Sequence, residues 1–449
     1  MTPITARYAQ RPTPRYTSYP TAPHFEADFP EATYRGWLGA LDPDTPVSLY
    51  LHVPFCRQMC WYCGCNMKLV KREGPLEQYV ETLLQEIRLV RDALPAQMKV
   101  AHLHLGGGTP TALTPDQMGR VMAAIRENFD LLPDAELAIE SDPRTLTDQM
   151  VAELAKLGFN RASFGVQEFD PKVQETINRV QPPEMVANAV ETFRRHGIEA
   201  INFDLIYGLP YQDVEKLLTT IRHVADMAPD RIALFGYAHV PWVAKNQRMI
   251  PEEALPDAAA RADQAARAAE AIVAAGYEVI GIDHFARPGD SLAKAAKNGA
   301  LHRNFQGYTN DASETMIGLG ATSIGRTPWG FVQNNPETGA WTRAIRVGQL
   351  PVHKGLTFSG DDKLRGAVIE RIMCDGHADI DAIGQRFGQS PAWWHDTKSD
   401  LEGMERDGLL TLTRNGVTLT EEGRILARVV ASAFDAYLAS SKARHSVAL

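Results

Sequence analysis

From Val47 onward the chain repeats one pattern: a short apolar run, a glycine or polar break, then a helical stretch. The runs are VSLYLHV from Val47, VAHLHLG from Val100, ELAIES from Glu136, RASFGVQ from Arg161, INFDLIYG from Ile201 and RIALFGYA from Arg231. Each is rich in β-branched or aromatic residues, as buried strands are. Helical periodicity lies between them. Pro75 precedes Leu76, Val80, Leu83, Leu84, Ile87 and Val90, whose steps of three and four place one apolar stripe on a helix. Val214, Leu217, Leu218, Ile221 and Val224 repeat the pattern, and the Ala-rich stretch from Asp257 to Ala275 is a strong helix former.

Six β-then-α units imply parallel strands with right-handed crossovers, in an open doubly wound sheet or a barrel. Six units fall short of a complete barrel, so the expected fold is α/β, a partial (βα)6 TIM-like barrel. YEVIGIDHFA, from Tyr277, is expected to extend the sheet. The Gly-rich segment from Arg287 to about Gln349 reads as an irregular cap over the site. After about Gly355 the character changes. Residues 361–374 and 379–387 read as helices, and DGLLTLTRNGVTLTEEGR reads as a hairpin around Asn415-Gly416 with a final helix from Glu421. The expected domains are an N-terminal segment over the active site (1–40), the partial barrel (41–350) and a small winged-helix-like α+β domain (356–449). The extreme C-terminus, SSKARHSVAL, is expected to be loose.

Four of the five cysteines fall in one short stretch, as Cys56, Cys60, Cys63 and Cys65. No apolar run approaches the ~20 residues that span a bilayer, and the N-terminus lacks the apolar stretch of a secretory signal. The expected location is therefore cytoplasmic, where thiols stay reduced and a metal or redox role outranks a disulfide framework. The net charge of −9 argues against a general nucleic-acid binder.

Cys56, Cys60 and Cys63 are spaced Cys-x3-Cys-x2-Cys just past the first expected strand. Thiolates are the usual ligands of iron–sulfur clusters, and three of them leave one iron of a cubane free for a substrate. Two other readings stand beside this one. Cys65 or His52 could complete a structural zinc site, and Cys60-Trp61-Tyr62-Cys63 could be a dithiol pair. Cys374, alone in a helical segment, reads as a small buried apolar residue.

The strand ends carry further polar groups: Tyr50, the run Gly106-Gly107-Gly108-Thr109, Glu140, Gln167, Asp204 and Ala238. In βα barrels the reactive side is this C-terminal edge. Glycines let backbone approach a ligand closely, or simply make a strand-to-helix turn. Glu140 and Asp204 are carboxylates closing apolar strands, and each needs a cofactor donor or a barrel arginine as partner. Arg179 and Gln167 offer donors.

Cys-x3-Cys-x2-Cys after the first strand of a partial barrel resembles the signature of the radical S-adenosylmethionine enzymes. The whole chain, from about Arg11 to about Ala439, is similar to a narrower group, the oxygen-independent coproporphyrinogen III oxidases (coproporphyrinogen dehydrogenases) of haem biosynthesis. The motifs that carry the resemblance are PRYTSYP at Pro14, HVPFC at His52, CGCN at Cys63, LGGGTPT at Leu105, GVQEF at Gly165, DLIYGLP at Asp204, DHFARP at Asp283 and HRNFQGYT at His302.

The resemblance implies a [4Fe–4S] cluster on Cys56, Cys60 and Cys63 and two S-adenosyl-L-methionine molecules. The first would have Tyr50, Gly107, Glu140 and Ile324 around it. The second would lie near Tyr62, Gly108, Thr109, Gln167, Arg179, Asp204 and Ala238. Tyr62 stands where the family often has phenylalanine, and keeps the flat ring. Cys65 matches a further family cysteine outside the cluster ligands and joins Glu140 and Asp204 as a candidate catalytic residue.

The implied reaction turns two propionates of coproporphyrinogen III into vinyl groups, giving protoporphyrinogen IX. The hydrogen removed is on an unactivated carbon that no tuned side-chain base could deprotonate, hence a 5′-deoxyadenosyl radical from S-adenosylmethionine. Arg15, Arg287, Arg303 and Arg326 are candidates to hold the propionates, and the segment around Arg15-Tyr16-Thr17-Ser18-Tyr19 to fold over the opening. The expected partners are coproporphyrinogen III and an electron donor such as flavodoxin or ferredoxin, with no nucleic acid, no membrane and a monomeric state. One rival is a haem-binding carrier of the same superfamily; such relatives usually lack PRYTSYP and the cysteine matching Cys65. Another is a regulator reading DNA with the C-terminal domain, against which the acidic total argues.

Overall fold

A computed structural model describes residues 7–438. Six parallel strands stand in sequence order: β1 (Val47–Val53), β2 (Lys99–Gly107), β3 (Asp130–Ser141), β4 (Arg161–Gln167), β5 (Ala200–Tyr207) and β6 (Arg231–Gly236). The crossover helices include α1 (Glu73–Ala93), α2 (Pro115–Asn128), α3 (Asp148–Lys156), α4 (Pro183–Arg195) and α5 (Val214–Met227). α6 (Ala258–Ala274) follows β6. The expected α/β partial barrel is present. The strands bury one face against these helices, as with Leu49, Leu51, Leu103, Leu105, Ile139, Phe164, Phe203 and Leu205. The alternate residues Tyr50, Glu140 and Asp204 are only half-buried, because the period of two turns them to the barrel interior.

The helix starts obey local chemistry. Thr114 and Gln117 form a reciprocal capping box at α2, and Asp213 and Asp257 cap α5 and α6. β3 begins six residues earlier than ELAIES suggests, because Asp130 and Leu131 pair with Lys99 and Val100 below a register irregularity.

YEVIGIDHFA extends the sheet as expected, through β7 (Glu278–Ile280) and β8 (His284–Ala286), antiparallel on β6. The segment 287–349 is not an irregular cap. It holds β9 (Met316–Leu319), parallel to β1, then β10 (Ile324–Thr327) and β11 (Gly330–Asn334). β12 (Val352–Thr357) continues that edge, and α7 (Thr338–Arg346) packs on α1. Each strand is too short and too interrupted by glycine for its alternation to register. Tyr79 ties this edge to the barrel: its hydroxyl donates to His52 O (2.6 Å) and accepts from Ala321 N (3.0 Å).

A second core lies in the C-terminal part. α8 (Asp362–Asp375), α9 (Ile380–Arg386) and α10 (His395–Arg406) surround a small sheet of β13 (His377–Asp379), β14 (Leu410–Leu412) and β15 (Gly416–Leu419). The hairpin around Asn415-Gly416 is present, whereas the final helix is two short pieces, Glu421–Arg424 and Ala427–Ala431. Tyr8, Tyr16 and Tyr19 of the N-terminal segment bury themselves in this core. Tyr16 donates to Asp435 (3.0 Å) and the Tyr19 hydroxyl accepts from Ala436 N (3.0 Å). The expectation for SSKARHSVAL lies outside the described residues. Cys374 is buried among Ile280, Ala286, Leu292 and Leu301, as a small apolar residue.

Candidate active site

The cysteine loop leaves the end of β1 and returns beside itself, since Phe55–Cys56 pairs with Lys68–Leu69. Between these points it has little regular structure, so its carbonyls need donors from elsewhere. The two N–H groups of Asn246 Nδ2 are shared among three of them, the carbonyl oxygens of Cys60 (3.1 Å), Trp61 (3.2 Å) and Cys63 (2.8 Å). Gln247 donates to Tyr62 O (2.7 Å) and Ala238 O (3.2 Å), and Asn178 to Met59 O (2.8 Å). The loop is thus held by the chain after β4 and the chain after β6.

The four cysteines carry free thiols. Thr109 Oγ1 donates to Cys56 Sγ (3.4 Å), the Cys65 backbone N–H to Cys63 Sγ (3.4 Å), and Arg144 and Arg179 to Cys60 Sγ (3.2 and 3.3 Å). Asp142 aligns these arginines, holding Arg144 at 2.6 Å and Arg179 at 3.5 Å. Burial alone would raise the Asp142 carboxyl, but Arg179 and Arg144 hold it below its ordinary value. Burial pushes the Cys56 thiol up to about 12, whereas hydrogen bonds from Cys65 bring Cys63 down to about 7. Three sulfurs that each accept a donor, beside two buried arginines, suit thiolates carrying the negative charge of an iron–sulfur cluster. Among the described residues no three His, Cys, Asp or Glu side chains are drawn in around a single ion; a cubane, being larger, sets its thiolates further apart.

Inside the barrel, Glu140 Oε2 accepts from Gly107 N (3.0 Å) and Oε1 lies 3.3 Å from His104 Nε2. Burial works against the Glu140 charge, yet His104 and the Gly107 N–H keep its pKa below the usual carboxylate value. Tyr50 Oη lies 3.0 Å from His52 Nδ1. Asp204 differs: it has no hydrogen bond or ion pair among the described residues. Burial, then the Glu140 charge, push its carboxyl up to about 7, against the pull of Arg179. The barrel-arginine partner considered for both carboxylates is therefore found for neither.

The glycine run has a packing reason. A Cβ on Gly106 would meet Glu140 Oε1 at 2.6 Å, and one on Gly108 would meet the Phe55 backbone N at 2.8 Å. Gly107 has φ +114°, and its Cβ would meet the His52 ring at 2.6 Å. Arg179 is buried, donating to Gly165 O (2.6 Å) as well as to Cys60. Buried Gln167, at the end of β4, has φ +67°. Tyr62 packs its ring with Val173, Ile177, Leu209 and Tyr237. Thr109 turns its hydroxyl to Cys56. Ile324 sits against Gly318, the strand partner of Tyr50, among Phe25, Phe305 and Phe331.

Asp142, Arg144, His104, Asn246 and Gln247 were not legible from the sequence. Only SDPR, directly after Glu140, carries a signal: charged residues just past a strand end. The arginines assigned to propionates separate. Arg287 lies at the opposite rim, donating to Pro229 O before β6, and Arg326 is exposed near Glu370.

Residues 50–224 match the family model for the radical SAM superfamily, and residues 358–426 the HemN C-terminal domain. An oxygen-independent coproporphyrinogen III oxidase of Bradyrhizobium diazoefficiens is 48% identical over 446 residues, 99% of each chain. The protein of that name from Paracoccus denitrificans is 42% identical over 94% of each chain. Among solved structures, coproporphyrinogen III oxidase (HemN) from Escherichia coli, described as a radical SAM enzyme, superimposes with a TM-score of 0.91 at 37% identity, covering 94% of this chain and 98% of that one.

Proposed function

This chain belongs to the oxygen-independent coproporphyrinogen III oxidases of the radical S-adenosylmethionine superfamily, and from that membership we propose which of its residues do what. The activity is the anaerobic oxidative decarboxylation of two propionates of coproporphyrinogen III to vinyl groups, giving protoporphyrinogen IX. The cofactors are a [4Fe–4S] cluster and S-adenosyl-L-methionine, two molecules of which are consistent with the Escherichia coli likeness. Bound and reduced, they supply one electron and a carbon radical able to take a hydrogen atom from an unactivated propionate carbon.

The residues do the positioning. Cys56, Cys60 and Cys63 hold the cluster, and Arg144 and Arg179 offset its charge through Cys60. Asn246 keeps the loop curled. Tyr50, Gly107, Glu140 and Ile324 would frame the first nucleotide. Glu140, kept ionised by His104 and the Gly107 N–H, accepts from its amine or ribose. Tyr62, Gly108, Thr109, Gln167, Arg179, Asp204 and Ala238 border the second, with Asp204 as its carboxylate acceptor. Cys65, exposed on the same loop, is the further candidate catalytic thiol.

What carries this reading is one arrangement: a cysteine loop in which Cys56, Cys60 and Cys63 each accept a donor, at the C-terminal edge of strands that also present Glu140 and Asp204, the latter without a hydrogen bond or ion pair among the described residues. No helix among the described residues is long and apolar enough to cross a membrane. We place the enzyme in the cytoplasm as a monomer that takes electrons from a flavodoxin or ferredoxin and binds no nucleic acid.

The test is anaerobic turnover with dithionite, S-adenosylmethionine and coproporphyrinogen III, products separated by chromatography. Protoporphyrinogen IX is expected. Haem binding without product would overturn the reading in favour of a carrier.

A further inference from the structure

The cysteine loop is closed by a short ribbon. Lys68 and Leu69 pair in parallel with Phe55 and Cys56. Lys68 N donates to Pro54 O (2.6 Å) and Val70 N to Cys56 O (2.9 Å). Successive side chains of the ribbon point to opposite sides. Val70 is therefore buried, whereas Leu69 is 44% exposed. Lys71 and Arg72 follow, both exposed. The ribbon lies toward the outer layer of the barrel: Lys68 Nζ donates to Thr338 Oγ1 (2.7 Å) at the start of α7, which packs on α1.

The charge here runs against that of the whole chain. From Arg57 to Arg72 there are four cations and no carboxylate, in a protein of net charge −9. Arg343 of α7 adds a fifth: its Nη1 reaches back to within 3.5 Å of where a Cβ on Gly339 would stand, one residue from Thr338. Some of this charge is answered. Glu73 holds Arg57 (2.6 Å), and Glu337 lies 3.9 Å from Lys68. Glu77 and Glu81, further along α1, are both held by Arg120. Lys71, Arg72 and Arg343 make no ion pair among the described residues, and all three are exposed.

We propose that this ribbon, with Leu69 at its centre and Lys71, Arg72 and Arg343 around it, is the docking surface for a small acidic one-electron carrier protein. The proposal rests on the oxidase reading, in which a protein donor supplies one electron to a cluster on Cys56, Cys60 and Cys63. An apolar centre within a charged rim is the anatomy of a protein interface, and redox encounters use the smallest of them. Opposite charge speeds the encounter and orients it. The carrier is oxidised by one electron and the cluster is reduced by one; no bond is made or broken. The bonded route inward is short. It crosses the hydrogen bond from Val70 N to Cys56 O and so enters the backbone of a proposed cluster ligand. Docking on this outer side leaves the mouth of the barrel to the nucleotides and the macrocycle.

The experiment uses the full chain with its cluster reconstituted under argon, and a plant-type [2Fe–2S] ferredoxin as the acidic carrier. Binding to immobilised oxidised ferredoxin is measured by interferometry at low and high salt. Turnover of coproporphyrinogen is measured with reduced ferredoxin and, separately, with dithionite, which needs no docking surface. K71E/R72E should weaken binding at least about tenfold at low salt, and the difference should shrink at high salt. Its ferredoxin-driven turnover should fall in step, while iron per chain and dithionite-driven turnover stay as in wild type. L69A should weaken binding at both salt concentrations. R343E lies outside the cysteine loop, so it decides the matter if charge reversal in the ribbon lowers iron loading; it should weaken binding in the same salt-dependent way. Variants that bind ferredoxin like wild type at low salt would overturn the docking surface. So would a raised KM for coproporphyrinogen under dithionite with unaltered ferredoxin binding, which would assign these cations to the substrate. A wild-type chain that turns over with dithionite but binds no ferredoxin would overturn it as well. Failure of wild-type turnover with dithionite would instead fault the oxidase reading itself.

Discussion

Asp204→Asn should make the ligand-free protein more stable and the nucleotide bind less well. The carboxyl is pushed from an ordinary 3.8 up to about 7, first by burial and then by Glu140. A folded-state value above the unfolded one means that the native protein holds a proton which the unfolded chain releases. Stability is therefore full below about pH 4, declines as pH rises to about 7, and stays low above. About three units at 1.36 kcal/mol each amount to roughly 4 kcal/mol at pH 8. Asp204 is only half-buried, and water reaching it screens the effect. We take about half, about 2 kcal/mol.

Asparagine keeps the shape without the charge. At about 2.1 cal/mol/K per residue, the unfolding entropy of a 449-residue chain converts this into a rise of about 2 °C in thermal midpoint at pH 8, shrinking toward zero near pH 4. Loss of charge-assisted hydrogen bonds costs about 1.5–3 kcal/mol of binding, or roughly tenfold to a hundredfold. The assays are melting of the ligand-free chain from pH 4.5 to 8 and anaerobic equilibrium dialysis against labelled S-adenosylmethionine. A variant less stable than wild type at pH 8, or with an advantage that does not grow with pH, would refute the account of Asp204 as a half-buried carboxylate raised by desolvation and by Glu140. Unaltered binding would remove it from the nucleotide site.

Cys60→Ser should abolish both iron retention and decarboxylation; a variant that keeps iron after reconstitution shows that Cys60 is not a ligand. Asn246→Ala removes the shared donor of three loop carbonyls, so iron per chain should fall at an unchanged cysteine count; full iron loading would show that the loop is held otherwise. Tyr79→Phe leaves His52 O and Ala321 N without their buried partner and should cost about 2–3 kcal/mol, read as a drop of about 2–3 °C in midpoint; an unchanged midpoint would mean that other groups tie β9 to β1.

The parallel strands and their helices were legible because each is a local periodic pattern set by burial. The cysteine loop was legible because its spacing is local too. The strands after residue 316 were not: MIGL, IGRT and GFVQN are four or five residues long and broken by glycine, and become strands only because β1 offers an edge. Arg287 is a candidate for the propionates as a basic residue, yet antiparallel β8 carries it to the other rim. The run Gly106-Gly107-Gly108 reads as close approach to a ligand or as a strand-to-helix turn; that its Cβ positions are also closed by Glu140, His52 and Phe55 depends on contacts made by other strands.

By itself the sequence determined the alternating α/β core, the thiol-rich loop after its first strand and the polar strand ends, since all three follow from residue spacing within about one structural unit. Only the tertiary structure decided that Asn246 holds that loop, that Arg144 and Arg179 share Cys60, that Glu140 finds partners while Asp204 finds none among the described residues, and that Arg303 reaches the Arg15 carbonyl. Those pairings join loops far apart in the chain, where no periodicity survives to mark which residue will face which.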